Sequence, residues 1–227
     1  LKKIYESLFY NIMNSVDTQM LLGTNIKSDI IYFSDILGID YEFIKEELKN
    51  YDMVVLQHEI PLETVHYTVE FCSENNIPVI LNPAPAAEVP MEVVEKVTYL
   101  TPNEHEAVLI FGNELSSEEL LKKYAGKLLI TQGSKGVSTC LETGEILTVP
   151  ARPAKVVDTT GAGDTFTGCM LNFVLEKGLD DLTESDLAEM LIFANAGASL
   201  ITTRRGALKV MPEKEEIEKI IQGRCGS

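Results

Sequence analysis

Short apolar segments alternate with longer helical segments from about residue 52 onward. The apolar segments carry few polar residues, as expected of strands that are buried on both faces of a sheet. The segment after the first of them predicts a helix that begins at Pro61, because apolar residues recur there at spacings of three and four. We predict four strands, at residues 52–57, 78–81, 97–100 and 127–131.

The order of strand, helix and strand predicts the α/β fold class, with a mostly parallel sheet covered by helices on both faces. Ligands of such folds bind at the carboxyl ends of the strands. A second β-rich segment follows at 136–149, and three helices are predicted after it, at 164–177, 184–203 and 213–222. Residues 1–35 stay unassigned, apart from a short amphipathic helix that their apolar spacing indicates.

The composition changes this picture by restricting the partners. The 227 residues, 45% of them hydrophobic, can bury a substantial core, and we expect residues 1–227 to form a single domain. The chain is strongly acidic, with 35 Asp and Glu against 19 Lys and Arg. Its long-range field repels nucleic acids and anionic membranes, so we expect neither as a partner. An anionic substrate would need local devices, such as helix N-termini, backbone N–H groups and a metal ion.

The cysteines and the N-terminal segment predict a cytoplasmic protein. The four cysteines form no Cys-x-x-Cys pair, so we expect reduced thiols and no disulfide scaffold. Glu6, Asn11 and Asn14 interrupt the apolar residues at the N-terminus, which argues against a signal peptide and against a membrane span.

The segment 156–168, with the sequence VVDTTGAGDTFTG, carries the strongest chemical signal. Its glycines let the backbone pass close to a ligand, and Asp164 stands at the start of an apolar helix, where unpaired N–H groups can receive a phosphate. A carboxylate beside a phosphate is expected to do chemistry, by accepting a proton from an attacking hydroxyl or by holding a metal. The alternative, from local chemistry alone, is that Asp164 only caps its helix.

This segment resembles the C-terminal signature of the ribokinase family of carbohydrate kinases. The resemblance covers residues 50–212 and implies a ribokinase-like three-layer α/β/α fold. It extends in the family's order through TPNEHEA at 101–107, ITQGSKG at 130–136, NAGAS at 195–199 and TRRG at 203–206. The segments QHEIP at 57–61 and NPAPA at 82–86 are similar to the ribokinase branch in particular.

The resemblance implies roles in catalysis and in sugar binding for two of these segments. Asp164 would be the catalytic base and would also contact the sugar, while Glu59 would bind a sugar hydroxyl. The N–H groups of Gly161, Ala162 and Gly163 would form an anion hole for the transferred phosphoryl group.

The resemblance also implies the residues that bind ATP and metal ions. Glu106 would organise a hydrated Mg²⁺ ion. The nucleotide would be lined by Asn103, Thr131, Gly133, Ser134, Gly136, Gly163 and Asn195. A potassium-like ion would be held by Asp158 and Thr160 and by carbonyl groups near Ile201, Arg204 and Gly206. Potassium stays open, because Val210 stands where ribokinases place a small hydroxyl residue.

Spacing alone leaves simpler interpretations open. Asn103 and Glu106 are three residues apart at a predicted helix start, which is also the pattern of a helix cap. Residues 131–136 could form an ordinary glycine turn, and Glu59 could be a solvated acid after a strand.

The family's N-terminal sugar site contains a Gly-Gly pair, and this sequence has none. We therefore expect the N-terminal sugar site and the β lid to be missing or altered. Three functions stay open: ATP-dependent phosphorylation of a sugar hydroxyl, with ribose or a related pentose expected; a nucleotide-binding relic or regulatory subunit with little or no catalysis; and a kinase for a non-sugar alcohol such as a vitamin precursor. Glu59 and the sequence NPAP at 82–85 argue against the last. The resemblance also allows a homodimer.

Overall fold

The computed structural model describes residues 48–60, 62–178, 182–206 and 210–223. These residues fall into two compact units. The described part of the first unit is 48–52, 60 and 62–77, and the second contains Met53–Glu59 and the described residues from Pro78 onward. The helix expected within residues 1–35 and the start of the next helix at Pro61 lie outside the described residues. The single domain stays a prediction.

Parallel strands form the first of two three-stranded sheets in the second unit. Strand β1 (Val54–Gln57) pairs with β2 (Val79–Asn82), and β2 pairs with β3 (Tyr99–Leu100), in both cases in parallel. Strand β2 lies between its two neighbours and all four of its residues are buried, which explains its continuous apolar run. These strands confirm the first three predicted ones.

Antiparallel strands form the second three-stranded sheet. Strand β4 (Leu129–Thr131) pairs with β5 (Val137–Cys140), and β5 pairs with β6 (Ile146–Val149). The fourth predicted strand and the β-rich segment after it are therefore confirmed. Two isolated parallel bridges connect the two sheets, Leu100 with Leu128 and Asn103 with Thr131.

The long helices confirm the sequence pattern, whereas two short ones were not predicted. Helices α2 (Met91–Lys96) and α4 (Ser117–Lys123), of six and seven residues, are too short to give a clear periodic signal. Among the described residues, no helix combines the length and the apolar character needed to cross a membrane. The first unit contains α1 (Leu62–Glu74), and the second contains α2 (Met91–Lys96), α3 (Glu104–Phe111), α4 (Ser117–Lys123), α5 (Ala162–Lys177), α6 (Glu184–Ile201) and α7 (Lys214–Ile221).

Four of these helices begin in the same way. In α3, α4, α6 and α7 the third helical residue is an acid whose carboxylate accepts the N–H of the residue before the helix, at 2.8–3.1 Å. This contact satisfies one of the N–H groups that the start of a helix leaves unpaired. The four acids are Glu106, Glu119, Asp186 and Glu216.

The main core of the second unit lies where α5, α6 and α7 meet the two sheets. It includes the fully buried Met170, Met190 and Leu191. Cys169 belongs to the same core, and burial raises the pKa of its thiol to about 12. Cys72, Cys140 and Cys169 are free and buried, as expected of reduced thiols.

Gly197 allows α5 and α6 to pack closely. A Cβ atom at this position would lie 2.6 Å from Cys169 Sγ and 3.1 Å from Ile217 Cδ1. We expect Gly197→Ala to lower the free energy of unfolding by about 1–3 kcal/mol, the usual cost of overpacking a core. Helix propensity alone would favour alanine by roughly 0.5–1 kcal/mol, so a net loss in urea unfolding isolates the clash.

The Cys169→Ala variant provides the matched background for this measurement, because it removes the nearest atom. Gly197→Ala should cost less in that background than in the native sequence. An equal cost in both backgrounds would contradict the proposed contact.

Candidate active site

Helix α5 begins at a turn that favours glycine. Gly161 precedes the helix with φ 77° and ψ 6°, in the left-handed region. Among the described residues, the N–H groups of Gly161, Gly163 and Asp164 donate no hydrogen bond, whereas that of Ala162 donates to the Thr159 carbonyl at 3.2 Å. Two of the three N–H groups of the predicted anion hole are thus available to a ligand.

Asp164 lies exposed in the first turn of α5. Its Oδ1 accepts a hydrogen bond of 2.8 Å from Nε2 of Gln57, the last residue of β1. The carboxylate does not accept the N–H of Gly161, so the structure does not support the interpretation in which Asp164 only caps its helix. Gln57 was not among the predicted site residues. Its signals in the sequence were its place at the carboxyl end of a predicted strand, where ligands of α/β folds bind, and its membership of the QHEIP segment at 57–61.

The loop between β4 and β5 is held in a tight turn. The Gln132 N–H donates to the Gly136 carbonyl at 2.7 Å, and the Gly136 N–H donates to the Gly133 carbonyl at 3.1 Å. Gly136 has φ 104°, and a Cβ atom there would collide with the Val149 carbonyl and lie 2.6 Å from the Ala151 nitrogen. The backbone after β6 therefore passes directly over this glycine, which an ordinary turn would not require.

All seven residues predicted to bind the nucleotide line one cavity of about 620 Å³. Its walls come from the residue before α3, the loop after β4, the segment after β6, the start of α5 and the C-terminal part of α6. This volume is typical of sites for small organic ligands. The seven are Asn103, Thr131, Gly133, Ser134, Gly136, Gly163 and Asn195.

Asn195 is built into the wall of this cavity. Its side chain is 6% exposed, and its Nδ2 donates to the Val149 carbonyl at 2.8 Å. This bond ties α6 to the end of β6, where the chain passes over Gly136. The amide nitrogen is therefore already used within the protein, and contact of Asn195 with a nucleotide stays a prediction.

Asn103 and Glu106 form a helix cap beside the cavity. Asn103 Oδ1 accepts from the N–H groups of His105 and Glu106, and Glu106 Oε2 accepts from the Asn103 N–H at 2.8 Å. Burial raises the pKa of Glu106, and the hydrogen bond from Asn103 partly opposes this shift. The interpretation of this pair as a helix cap is confirmed, while the role of Glu106 towards Mg²⁺ stays a prediction.

The predicted cation site brings together two separate loops. Asp158 Oδ1 accepts from the N–H and the hydroxyl of Thr160 at 2.9 and 2.7 Å, and its Oδ2 accepts from the Gly206 N–H at 3.1 Å. The two hydrogen bonds from Thr160, followed by the one from Gly206, lower the pKa of Asp158 to about 2. The Thr202 carbonyl adds to this connection, because it accepts the N–H of Asp158 at 3.1 Å.

The pKa of Asp158 makes a prediction about stability. A carboxylate whose pKa is lowered on folding stabilises the protein above its unfolded pKa, and this contribution is lost as the pH falls through the folded value. We expect Asp158→Asn to lower the urea midpoint at pH 5–7, and we expect the difference from the native protein to shrink as the pH falls from about 4 towards 2. The exposed Asp52→Asn is the control, since it removes the same charge. A difference for Asp158→Asn that is independent of pH would contradict the bonding seen here.

Ile201 and Arg204 stand at the end of α6. The Ile201 carbonyl accepts the Arg204 N–H at 3.0 Å. The Arg204 guanidinium donates to both carboxylate oxygens of Glu216, at 2.6 and 3.3 Å, and to the Val210 carbonyl at 3.1 Å. These bonds connect Arg204, two residues before Gly206, to Val210 and to the first turn of α7. Whether these carbonyl groups hold a cation stays a prediction.

Glu59 lies exposed in the turn after β1, and its contact with a sugar also stays a prediction.

The family model for the pfkB family of carbohydrate kinases matches residues 30–214. The chain belongs to the pfkB family. The match begins before the segment that carries the motifs and includes the cavity, the start of α5 and the loop of Gly206.

Curated relatives of this pfkB-family chain include ribokinases. A ribokinase of Bacillus subtilis is 43% identical over 176 residues, which are 78% of this chain and 57% of the relative. A ribokinase of Lactococcus lactis is 43% identical over 174 residues, 76% of this chain and 55% of the relative. The pfkB-family chain thus spans somewhat more than half the length of these relatives.

Solved ribokinase structures share the fold. Arabidopsis thaliana ribokinase, determined with ribose and ATP, has a TM-score of 0.67 and 29% identity, covering 81% of this chain and 60% of that one. Thermotoga maritima ribokinase has a TM-score of 0.65 and 34% identity. The match covers 78% of this chain and 59% of the Thermotoga chain. These neighbours confirm the ribokinase-like α/β fold of this pfkB-family chain.

Proposed function

We propose that this chain is the nucleotide-binding part of an ATP-dependent kinase that phosphorylates a hydroxyl group of ribose or a related pentose. One observation carries the proposal. The cavity lined by the seven predicted nucleotide residues reaches Gly163, and Asp164 is the next residue. A phosphate at the cavity's end would meet the N-terminus of α5, and a hydroxyl beyond it would meet a carboxylate.

The residues at this end of the cavity have different roles in the proposed phosphoryl transfer. Asp164 is exposed and accepts a hydrogen bond through Oδ1, so that Oδ2 can receive the proton of the attacking hydroxyl. The N–H groups of Gly161 and Gly163 would stabilise the charge that develops on the transferred phosphoryl group. Positioning and electrostatic stabilisation supply most of the rate in this class of reaction.

Glu106 is suited to a hydrated Mg²⁺ ion. Glu106 is 6% exposed and burial raises its pKa, so a nearby cation would offset the cost of keeping the carboxylate charged. No three acidic, histidine or cysteine side chains gather into a metal cluster within the described ranges. Mg²⁺ in phosphoryl transfer needs only one or two carboxylates, since phosphates and water complete its shell, and it neutralises charge on the phosphates when bound.

A potassium-like ion is the second ion of the proposal. Asp158, Thr160 and Gly206 already join the loop before α5 to the loop after α6. A cation at this junction would stabilise the approach to the anion hole without touching the substrate. The rate of phosphorylation, measured in potassium chloride and in lithium chloride at equal ionic strength, tests the proposed potassium site separately from the rest of the proposal.

The relatives support ribose as the acceptor. Two of them, each 43% identical to this chain, are ribokinases, and the Arabidopsis ribokinase structure contains ribose and ATP. The test is ADP release with Mg·ATP and a panel of acceptors: ribose, deoxyribose, fructose and a hydroxymethylpyrimidine. We expect ribose or deoxyribose to give the highest kcat/KM. Phosphorylation of the pyrimidine alone would contradict the proposed sugar class, and nucleotide binding without any turnover would favour a regulatory protein.

A further inference from the structure

Asp164 behaves differently from the equivalent acids of the other helices. In α3, α4, α6 and α7 the acid at the third helical position accepts the N–H of the residue before the helix. Asp164 holds the same position in α5, but its Oδ1 accepts from Gln57 Nε2, 107 residues away in the sequence. Within the described part of the chain, this is the one hydrogen bond of the Asp164 side chain.

Gln57 is well placed to hold an exposed carboxylate. It ends β1, where its backbone is in register with Asn82 of β2, so the sheet fixes its position. A carboxylate only accepts hydrogen bonds, which requires the NH₂ group of Gln57 to face it and settles the orientation of the amide. The distance of 2.8 Å is that of a good charge-assisted hydrogen bond.

The same contact affects the N-terminus of α5. If Asp164 turned back onto Gly161, as the four other acids turn onto their helices, its negative charge would occupy the N–H groups that are available to a phosphate. It would also leave the position from which it can reach an acceptor hydroxyl. With its Oδ1 bonded to Gln57, the Asp164 carboxylate does neither in this structure.

We propose that Gln57 is a positioning residue: it holds the Asp164 carboxylate away from the N–H groups of its own helix and so keeps both the base and the anion hole available. The catalytic consequence rests on the proposed kinase function, whereas the geometric part does not. Two kinds of experiment therefore test it.

The first experiment needs no activity. Gln57→Met keeps the length of the side chain and removes the donor, and Gln57→Glu keeps the shape but repels the carboxylate. With ¹⁵N-glycine labelling, we expect the Gly161 amide proton to move downfield in both variants as Asp164 folds back. Affinity for a non-hydrolysable Mg·ATP analogue should fall by roughly 5-fold, the equivalent of one ordinary hydrogen bond, while affinity for Mg·ADP changes little.

The second experiment measures turnover. Gln57→Met should lower kcat on the order of 10-fold to 100-fold with little change in the KM for sugar, as expected of a misplaced base. In an Asp164→Asn background the same change should cause no further loss, because the two residues act as a unit. Gln222→Met, at an exposed glutamine after α7, is the control and should leave both experiments unchanged.

The outcomes separate the two proposals. An unchanged Gly161 amide together with unchanged analogue affinity in both Gln57 variants would overturn the positioning role, and so would a full additional loss of kcat in the Asp164→Asn background. If the native protein phosphorylates no sugar, the proposed function fails, while the amide shift and the analogue affinity still decide the role of Gln57.

Discussion

Replacing Asp164 with asparagine is expected to lower kcat on the order of 10²-fold or more while nucleotide affinity stays close to that of the native protein. Asparagine keeps the shape of the side chain but cannot accept the proton of the attacking hydroxyl, and a positioned general base contributes about 10²–10⁴-fold. Asp164 does not cap its helix in this structure, so the fold should also be unaffected. ADP release with ribose, together with titration of Mg·ADP, measures the two properties.

Asp186→Asn is the matched control for this variant. Asp186 occupies the same third position, in α6, but it caps that helix through Thr183 and pairs with Lys177 at 2.7 Å. Its loss should lower thermal stability and leave kcat unchanged. If both variants lose stability and both keep their turnover, Asp164 is a cap and the assignment of the base is wrong.

Replacing Gly136 with alanine is expected to be the most destructive change in the cavity. At φ 104° an alanine is strained by roughly 3 kcal/mol. This value is the upper end of the usual cost of a backbone conformation that only glycine adopts easily. Its Cβ would also meet the backbone of Val149 and Ala151, which cannot move without shifting the strand end that Asn195 holds. We expect a large fall in the free energy of unfolding and the loss of nucleotide binding.

Gly133→Ala provides the control from the same loop. Gly133 has φ 54°, and nothing lies within 4 Å of an added Cβ atom. Gly133→Ala should lower the free energy of unfolding by about 1 kcal/mol, which is the cost of one non-glycine residue in the left-handed region. Urea unfolding of both variants and titration with Mg·ADP would test the comparison, and equal stabilities would contradict the close passage of the chain after β6.

Local patterns were sufficient to predict most of the fold. Buried parallel strands such as β2 are continuous apolar runs, and long helices such as α6 repeat their apolar residues over several turns, so both can be recognised without tertiary information. The short helices α2 and α4 complete fewer than two turns, and their position depends on the neighbouring strands. Their absence from the prediction has this physical cause.

The candidate site was predictable only in part. The glycine-rich segments indicated where the backbone can approach a ligand, and the seven residues predicted to bind the nucleotide do line one cavity. The partner of Asp164 could not be predicted, because its contact with Gln57 joins residues 107 positions apart and depends on the sheet. The requirement for glycine at 136 likewise arises from the later segment at Val149, and the bond of Asn195 to that segment was not visible either.

The central claim is that a nucleotide occupies this cavity with its phosphates at the start of α5. Titration of the ¹⁵N-glycine-labelled protein with a non-hydrolysable Mg·ATP analogue tests it most directly, because glycines line the cavity at Gly133, Gly136 and Gly163. We predict that these three amides and that of Gly161 shift, while those of Gly112 and Gly178, at the ends of α3 and α5, do not. Saturable binding that shifts Gly112 or Gly178 and leaves the cavity glycines unchanged, or no binding at all, would contradict the account.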